Sequence, residues 1–578
     1  MKTLFKALKA YWGYILLAVA LLYLQAQCDL ALPEYMSKIV NTGILNGDIP
    51  YIWRTGGIMM LISLAGAACS ISMGYFAAKV AANVGSDLRT GVFSKVQSFS
   101  NAEFDHFSTA SLITRTTNDI TQIQMLLVMS IRMVFYAPIL GIGGLIKALD
   151  ESASMTWIIA VTILCMLAVI IAAFIVVMPR MQSMQKLIDR LNLVSRENLE
   201  GMLVIRAFNT QKFEETRFDA ANRNLADTSL FVNRSMASMM PVIMLIMNLT
   251  TVFIVWIGSH AVSAFSMNIG SMMAYMQYAM QIIMSFMFLA MMFIIIPRAV
   301  VSANRIQEVL ERKETVLDPE QPAKLPAQFK PIIEFRDVSF RYPGGEDNVL
   351  SSVSFTAEPG CTTAFIGATG AGKTTIVNLL MRFYDVTSGS IRISGEDIRD
   401  ITKHDLREKI GYVPQKSLLF SGTIAENISY ADEQMPFEQV EKAAEIAQAT
   451  EFICEKEEGY ASHIAQGGMN VSGGQKQRLS IARALAKNAP IYVFDDTFSA
   501  LDLKTDRRLR EAIGRELKDS TILLVAQRVS TIMYADRIVV LDHGRIVGTG
   551  THKELLENCS IYYEIASSQL STEELNNE

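Results

Sequence analysis

The sequence predicts an α-helical transmembrane domain of six spans with long cytoplasmic helical extensions, followed by an α/β P-loop nucleotide-binding domain. Three observations predict it. Hydrophobic residues make up 51% of the 578 and charged residues 19%, with a mean hydropathy of +0.27. Six predominantly apolar stretches, each long enough to cross a bilayer, fall in the first 300 residues. Beyond them, Gly367 to Thr375 reads "GATGAGKTT", a phosphate-loop pattern.

A chain of 578 residues exceeds one ordinary domain. Its charged fraction lies below the usual quarter, which with clustered apolar residues points to a membrane. Net charge is −5, and no basic run interleaved with aromatics occurs, so nucleic acid is not an expected partner. Cys28, Cys69, Cys165, Cys361, Cys454 and Cys559 are scattered without paired metal-ligand spacing, as free thiols of membrane or reducing cytosol would be. The start, "MKTLFKALKAYWGYILLAVALLYLQ", has a basic head but no small-residue cleavage motif, and reads as an anchored first span.

The spans are read at 12–31, 55–79, 129–149, 155–178, 237–262 and 271–297. Lys2, Lys6 and Lys9 precede the first span. The long, helically patterned connections 80–128 and 179–237 carry most of the other cations, while "ALDESAS" and "VSAFSMN" are poor in them. The positive-inside rule puts both termini and both long connections in the cytoplasm of a multi-pass protein of the cell membrane. On the sixth span Met273, Met276, Met280, Met284 and Met287 form one helical stripe, alongside Met291 and Met292, with Gln277 and Gln281 as polar interruptions. Such methionines serve either as packing filler or as an adaptable lining for apolar ligands. "ERKETVLDPEQPAKLPAQFKP" then breaks the pattern as a proline-rich linker, dividing the chain into 1–310, 311–331 and 332–578.

In the phosphate loop, Gly367, Ala368, Thr369, Gly370, Ala371 and Gly372 let backbone N–H groups curl around phosphate oxygens. Lys373 supplies charge to the β- and γ-phosphates, Thr374 offers a hydroxyl to Mg²⁺, and Thr375 continues into the helix. An apolar strand "TTAFI" precedes the loop and "TIVNLLMRF" follows as a helix whose positive end faces the phosphates. About 120 residues later "IYVFDDTFSALD" closes a strand on Asp495, a second magnesium ligand.

Between these lies "NVSGGQKQRLSIARAL". Val471, Ser472, Gly473, Gly474 and Gln475 closely resemble the LSGGQ signature of ATP-binding cassette (ABC) transporters, with Val for Leu. The resemblance spans nearly the whole chain. It implies that Tyr342 stacks on adenine, that Gln415 is the Q-loop glutamine sensing Mg²⁺, and that Ser499 and Asp502 belong to the D-loop. "FDHFSTASLITRTTNDI" and "GMLVIRAFNTQKFEETRF" resemble the two cytoplasmic coupling regions. Such a half-transporter works in pairs, each ATP lying between one phosphate loop and the other subunit's signature. One phosphate loop, one signature and no internal duplication are consistent with that need.

Two positions depart from the family. Asp496 stands where the catalytic Glu positions or deprotonates water, and Gln527 replaces the switch histidine. A carboxylate set back by about 1 Å forfeits on the order of 10²-fold in rate. An amide donates a hydrogen bond but takes up no proton near neutral pH. Gln466 also replaces an acidic residue common before the signature. The combination resembles the slow-site subunit of heterodimeric bacterial multidrug exporters. The implied function is ATP-driven export of hydrophobic or amphipathic compounds, beside a second, different half-transporter whose own site does most of the hydrolysis. A lipid flippase, a metal-chelate importer on the same fold, or an ATP-gated channel are the other readings.

Overall fold

The computed structural model describes residues 8–570 apart from 327 and 500, with the side chains of 290–295, 297 and 503 outside the description. Pro297, Met291 and Met292 therefore lie outside the described side chains, and Lys2 and Lys6 outside the described residues. The chain separates into two compact units.

The first unit comprises 1–97 and 109–312. Among the described residues, six helical stretches are long and apolar enough to cross a bilayer. The first begins as α1 (Trp12–Lys38) and runs through a π-turn (Ile39–Ile44). Next come α2 (Ile49–Ser98) and, after a short helix of the other unit, α3 (Thr109–Thr114). α3 passes through a second π-turn (Arg115–Asp119) into α4 (Ile120–Glu151). α5 (Thr156–Glu200), the short α6 (Met202–Ala207), α7 (Gln211–Ser263) and α8 (Ile269–Glu311) complete the unit.

These helices outrun the apolar segments that announce them. α2 has 50 residues and α7 has 53, each about 75–80 Å long against a hydrocarbon core of about 30 Å. Crossing lipid demands apolar side chains, whereas staying helical demands only backbone pairing and good helix formers, so the helix persists where the hydropathy drops. Pro179, the first residue after the fourth span, lies inside α5. One turn further on, Ser183 Oγ donates to the Pro179 carbonyl at 3.0 Å.

α1, α4 and α8 form the best packed part of this unit. Ala26, Leu30, Leu140, Tyr275, Tyr278 and Ile282 share one buried cluster. α5 and α7 join it only toward their shared short-loop ends, through Ile158, Ile159 and Ile254. At the opposite end of that hairpin the surface stays open, with Leu203 81% and Phe208 75% exposed.

The second unit comprises 98–108 and 313–578. Residues 313–332 carry neither helix nor strand among those described. The strands are β1 (Ile333–Phe340), β2 (Leu350–Ala357), β3 (Thr362–Gly367), β4 (Ser388–Ile393), β5 (Glu396–Asp397) and β6 (Ile410–Val413). β7 (Gly422–Thr423), β8 (His463–Ile464), β9 (Ile491–Asp495), β10 (Thr521–Val525), β11 (Arg537–Asp542) and β12 (Arg545–Gly550) follow. One sheet has the order β12-β11-β3-β10-β9-β6, parallel except for β12. An antiparallel sheet has the order β2-β1-β4-β5.

Alternation along the central strands builds two cores. Ile491, Val493, Leu523 and Val525 face the antiparallel sheet, packing with Phe335 and Phe355. Tyr492, Phe494, Ile522 and Leu524 face the other way, onto the helices. Both faces are covered, so the strands read as unbroken apolar runs.

A short helix at Asn101–His106 belongs to this unit rather than to the membrane spans that flank it in sequence. Glu103 is fully buried there. It accepts from the Ser100 amide at 2.8 Å, the Ser100 hydroxyl at 2.5 Å and the Thr315 amide at 3.2 Å. Burial pushes the Glu103 carboxyl up, but these bonds outweigh it and hold the pKa below the ordinary value. Tyr384 donates to Asp105 at 2.7 Å.

The pairing of Glu103 predicts a pH window. A depressed pKa contributes stability in full above the unfolded value of about 4.3 and loses it as pH falls further. Glu103→Gln should weaken the docking of 98–108 by about 1–3 kcal/mol at neutral pH. Amide exchange in that segment should accelerate, and the gap from wild type should close below pH ~4.

Candidate functional site

The site forms where β3, β10, β9 and β6 end, at the carboxyl edge of the parallel sheet, the usual place for ligands in such sheets. Pairing sets Phe365 beside Val525 and Val525 beside Asp495. The loops that leave these strands therefore start side by side.

After β3 the chain turns through Gly367–Gly372 into α9 (Lys373–Leu380). Gly372 has φ +96°, and a Cβ there would come 2.6 Å from Leu350 Cδ2, so glycine is required twice over. Gly367 passes the Leu541 carbonyl so closely that a Cβ would meet it at 2.1 Å. Thr369 and Gly370 are exposed, while Ala371 is buried with its amide donating to the Ala368 carbonyl at 3.2 Å. Lys373 Nζ donates to the carbonyls of Gly367 at 2.7 Å and Ala368 at 2.9 Å. Burial lowers its pKa, opposed by Asp496 and Asp495.

Thr374 Oγ1 donates to Asp495 Oδ1 at 3.2 Å, and Asp495 is 1% exposed. Burial pushes the Asp495 carboxyl up to about 6; Asp496 adds to the shift, and the Thr374 hydroxyl and Lys373 oppose it. Thr374, Asp495 and Gln415 make an all-oxygen donor set in which a buried carboxylate lacks a full countercharge, and this fits Mg²⁺. Those three residues would hold the ion, whose charge would neutralise phosphate oxygens.

Asp496 begins the loop after β9 with its amide donating to the Val525 carbonyl at 2.9 Å. Its φ of +47° is left-handed, a conformation that Asp tolerates better than most side chains. Gln527 Nε2 donates to Asp496 Oδ2 at 2.8 Å, and Gln415 Nε2 approaches the same oxygen at 3.4 Å. Burial raises the Asp496 pKa, while Gln415, Lys373, Arg528 and Ser499 oppose the rise. Ser499 Oγ donates to the Asp496 carbonyl at 2.9 Å. Asp502 caps α11 (Leu503–Glu516), accepting from the Thr505 amide at 2.9 Å.

Tyr342 is half-buried beyond β1, with its hydroxyl 3.1 Å from Thr375 Oγ1 and its ring edge-on to Tyr384. The signature residues sit apart. Val471 is buried, and Ser472 caps α10 (Gly473–Ala486) with Gln475 bonding back to the Ser472 amide at 3.0 Å. Ser472 and Gly473 are exposed and Gly474 partly so. Among the described residues no hydrogen bond or ion pair joins this turn to the phosphate loop. Gln466 lies in the short turn that precedes it.

Two features had no motif to announce them. Gln569, on the last described helix (Ser560–Gln569), donates to the Gln527 carbonyl at 3.0 Å and accepts from the Val529 amide at 2.8 Å. It thus brackets the switch residue from 42 positions away in the sequence. Arg528 reaches the Ser499 carbonyl at 3.2 Å, and its place beside Gln527 was the one available cue.

Gly372→Ala should abolish tight nucleotide binding, weakening it at least about tenfold through strain at φ +96° and the clash with Leu350. Equilibrium binding of a fluorescent ATP analogue measures it. Gln569→Ala should leave that affinity within about twofold while lowering turnover, because the bracket acts on Gln527 rather than on the phosphate loop.

Comparison with known proteins bears on the whole chain. The ABC transporter transmembrane region family matches residues 15–286, and the ABC transporter family matches 350–499. An uncharacterized ABC transporter ATP-binding protein of Mycobacterium tuberculosis is 37% identical over 97% of each chain. A putative multidrug export ATP-binding/permease protein of Bacillus subtilis is 30% identical over 98% of this chain and 99% of its own. The structure of a bacterial Atm1-family ABC exporter with ATP bound superposes with a TM-score of 0.80 at 25% identity, covering 98% and 99% of the two chains. Likeness of this depth, over nearly the full length of both partners, places the protein in the ABC transporter family, as a membrane-embedded exporter-type half-transporter in which ATP hydrolysis is coupled to transport.

Proposed function

We propose that the chain is one subunit of a heterodimeric exporter of hydrophobic or amphipathic compounds in the cell membrane, with both termini cytoplasmic. Its own ATP site hydrolyses slowly and its signature completes a fast site on a different half-transporter. The observation that carries this reading is the bond from Gln527 to Asp496. A general base needs a free lone pair aimed at water. Here one oxygen of a shortened carboxylate accepts from Gln527 at 2.8 Å and faces Gln415 at 3.4 Å, and neither amide can take a proton onward.

In this reading Tyr342 stacks on adenine, the loop from Gly367 to Thr375 holds the phosphates, and Asp495, Thr374 and Gln415 hold Mg²⁺. Ser499 and Asp502 form the D-loop. Val471, Ser472, Gly473, Gly474 and Gln475 present a capped helix start, with Ser472 and Gly473 exposed, as a motif that serves another chain must. The open apolar end of the α5–α7 hairpin, with Leu203 and Phe208, supports the need for a second subunit. The relative described as a multidrug exporter supports the cargo class. So do Met280 and Met284, which remain exposed on α8.

The chain purified alone should show ATPase at least about tenfold below that of the complex with its partner half-transporter. Within the complex, Asp496→Glu combined with Gln527→His should raise turnover at this site by about 10–100-fold. Brisk ATPase of a homodimer, abolished by Asp496→Ala, would overturn the reading.

A further inference from the structure

Inside the membrane-spanning part of the first unit, α1, α4 and α8 enclose a polar cluster that holds two buried acceptors without partners. Tyr136 on α4 gives its hydroxyl hydrogen to Asp29 Oδ2 on α1 at 2.5 Å. Gln281 on α8 gives its amide to the Asp29 carbonyl at 3.0 Å, and Tyr278 gives its hydroxyl to the Leu30 carbonyl at 3.2 Å. Gln25, one helical turn before Asp29 and 7% exposed, reaches toward the Tyr136 hydroxyl. Its Oε1 is buried without a partner, and so is Oε1 of Gln281. The bond from Gln281 Nε2 to a carbonyl sets which way that amide faces.

Asp29 makes no ion pair among the described residues. Arg132, one turn before Tyr136, is exposed and pairs with no carboxylate there either. Asp29, Tyr136 and Gln281 lie about 18–23 Å along their helices from the short-loop ends, which is well within the hydrocarbon core. Leu22, Ala26 and Leu30 give α1 an apolar, fully packed face around it. A carboxylate and two unpartnered carbonyls at that depth are costly unless something brings hydrogen-bond donors and positive charge.

We propose that Asp29, Gln25 and Gln281 form a recognition site for amphipathic cations that carry N–H donors, such as primary or secondary ammonium and amidinium compounds. The proposal rests on the export reading and narrows its cargo: neutral and anionic compounds lack the group that this cluster accepts. Tyr136 is a positioning residue, holding one oxygen of Asp29 so that the other faces the ligand.

The test uses the full protein in lipid nanodiscs without nucleotide. The probes are a dansylated pentylammonium and its N-acetylated, neutral counterpart. Wild type should bind the ammonium probe about 10–100-fold more tightly than the acetylated one. Asp29→Asn should erase that preference and Asp29→Glu should keep most of it. Gln25→Leu and Gln281→Leu should each weaken the ammonium probe several-fold and leave the acetylated one unchanged, which keeps the proposal open to refutation if Asp29→Asn misfolds. Equal binding of the two probes, or a preference that survives Asp29→Asn or both leucine variants, would overturn it. ATP-driven uptake of both probes into inside-out vesicles tests export separately. Uptake without charge preference removes the site and leaves the exporter, whereas charge-selective binding without uptake of either probe leaves the site and removes the exporter.

Discussion

The parallel register that sets Phe365, Val525 and Asp495 abreast governs the nucleotide end of the molecule. Each of the three strands has both faces buried, so a slip of one residue would exchange the sets facing the antiparallel sheet and the helices. With the register set, three loops must leave the sheet edge within a few ångströms of each other. The phosphate loop, the carboxylate pair and the switch residue meet for that reason, and the bonds from Thr374 to Asp495 and from Gln527 to Asp496 follow from it.

The same register places the start of the Asp496 loop beside Val525. Asp496 has little freedom: its amide is bonded to Val525, its carbonyl to Ser499, and its φ is left-handed. Gln569 bonds to the backbone on either side of Gln527, so the amide that engages Asp496 is braced from behind. The membrane unit shows a different economy. It leaves apolar surface at Leu203 and Phe208 and unpartnered carbonyls at Gln25 and Gln281, where a self-sufficient domain would close both.

Much of this was legible in the sequence because its signals are local. Six apolar segments gave six spanning helices, and "GATGAGKTT" gave the phosphate loop, since hydropathy and glycine placement act over a few residues. The helical extensions were legible from the patterning of 179–237, but not that α5 would run unbroken through Pro179 to Glu200. Residues 98–108 looked like part of the membrane half, because nothing in "NAEFDHFS" shows that Glu103 will pair with Thr315, more than 200 residues away. Gln569 was invisible for the same reason, as a single glutamine becomes meaningful only once folding brings it to Gln527. Asp29 could have been noticed, an acid in an apolar run, but the unpartnered state of its neighbours is a property of packing alone.

The membership of 98–108 in the second unit also has a consequence for the order of assembly during synthesis. Thr315, Tyr384 and the sheets that receive this segment are made roughly 200 residues or more after it. At about 5–20 residues per second the ribosome needs ~10–40 s to reach even the first of them. During that interval the helix at Asn101–His106 has no receptor, although the spans before and after it can already be inserting. The buried Glu103 must wait with it, solvated and charged, so the ATPase unit can finish only by closing back onto a piece of chain that left the ribosome before most of the membrane helices.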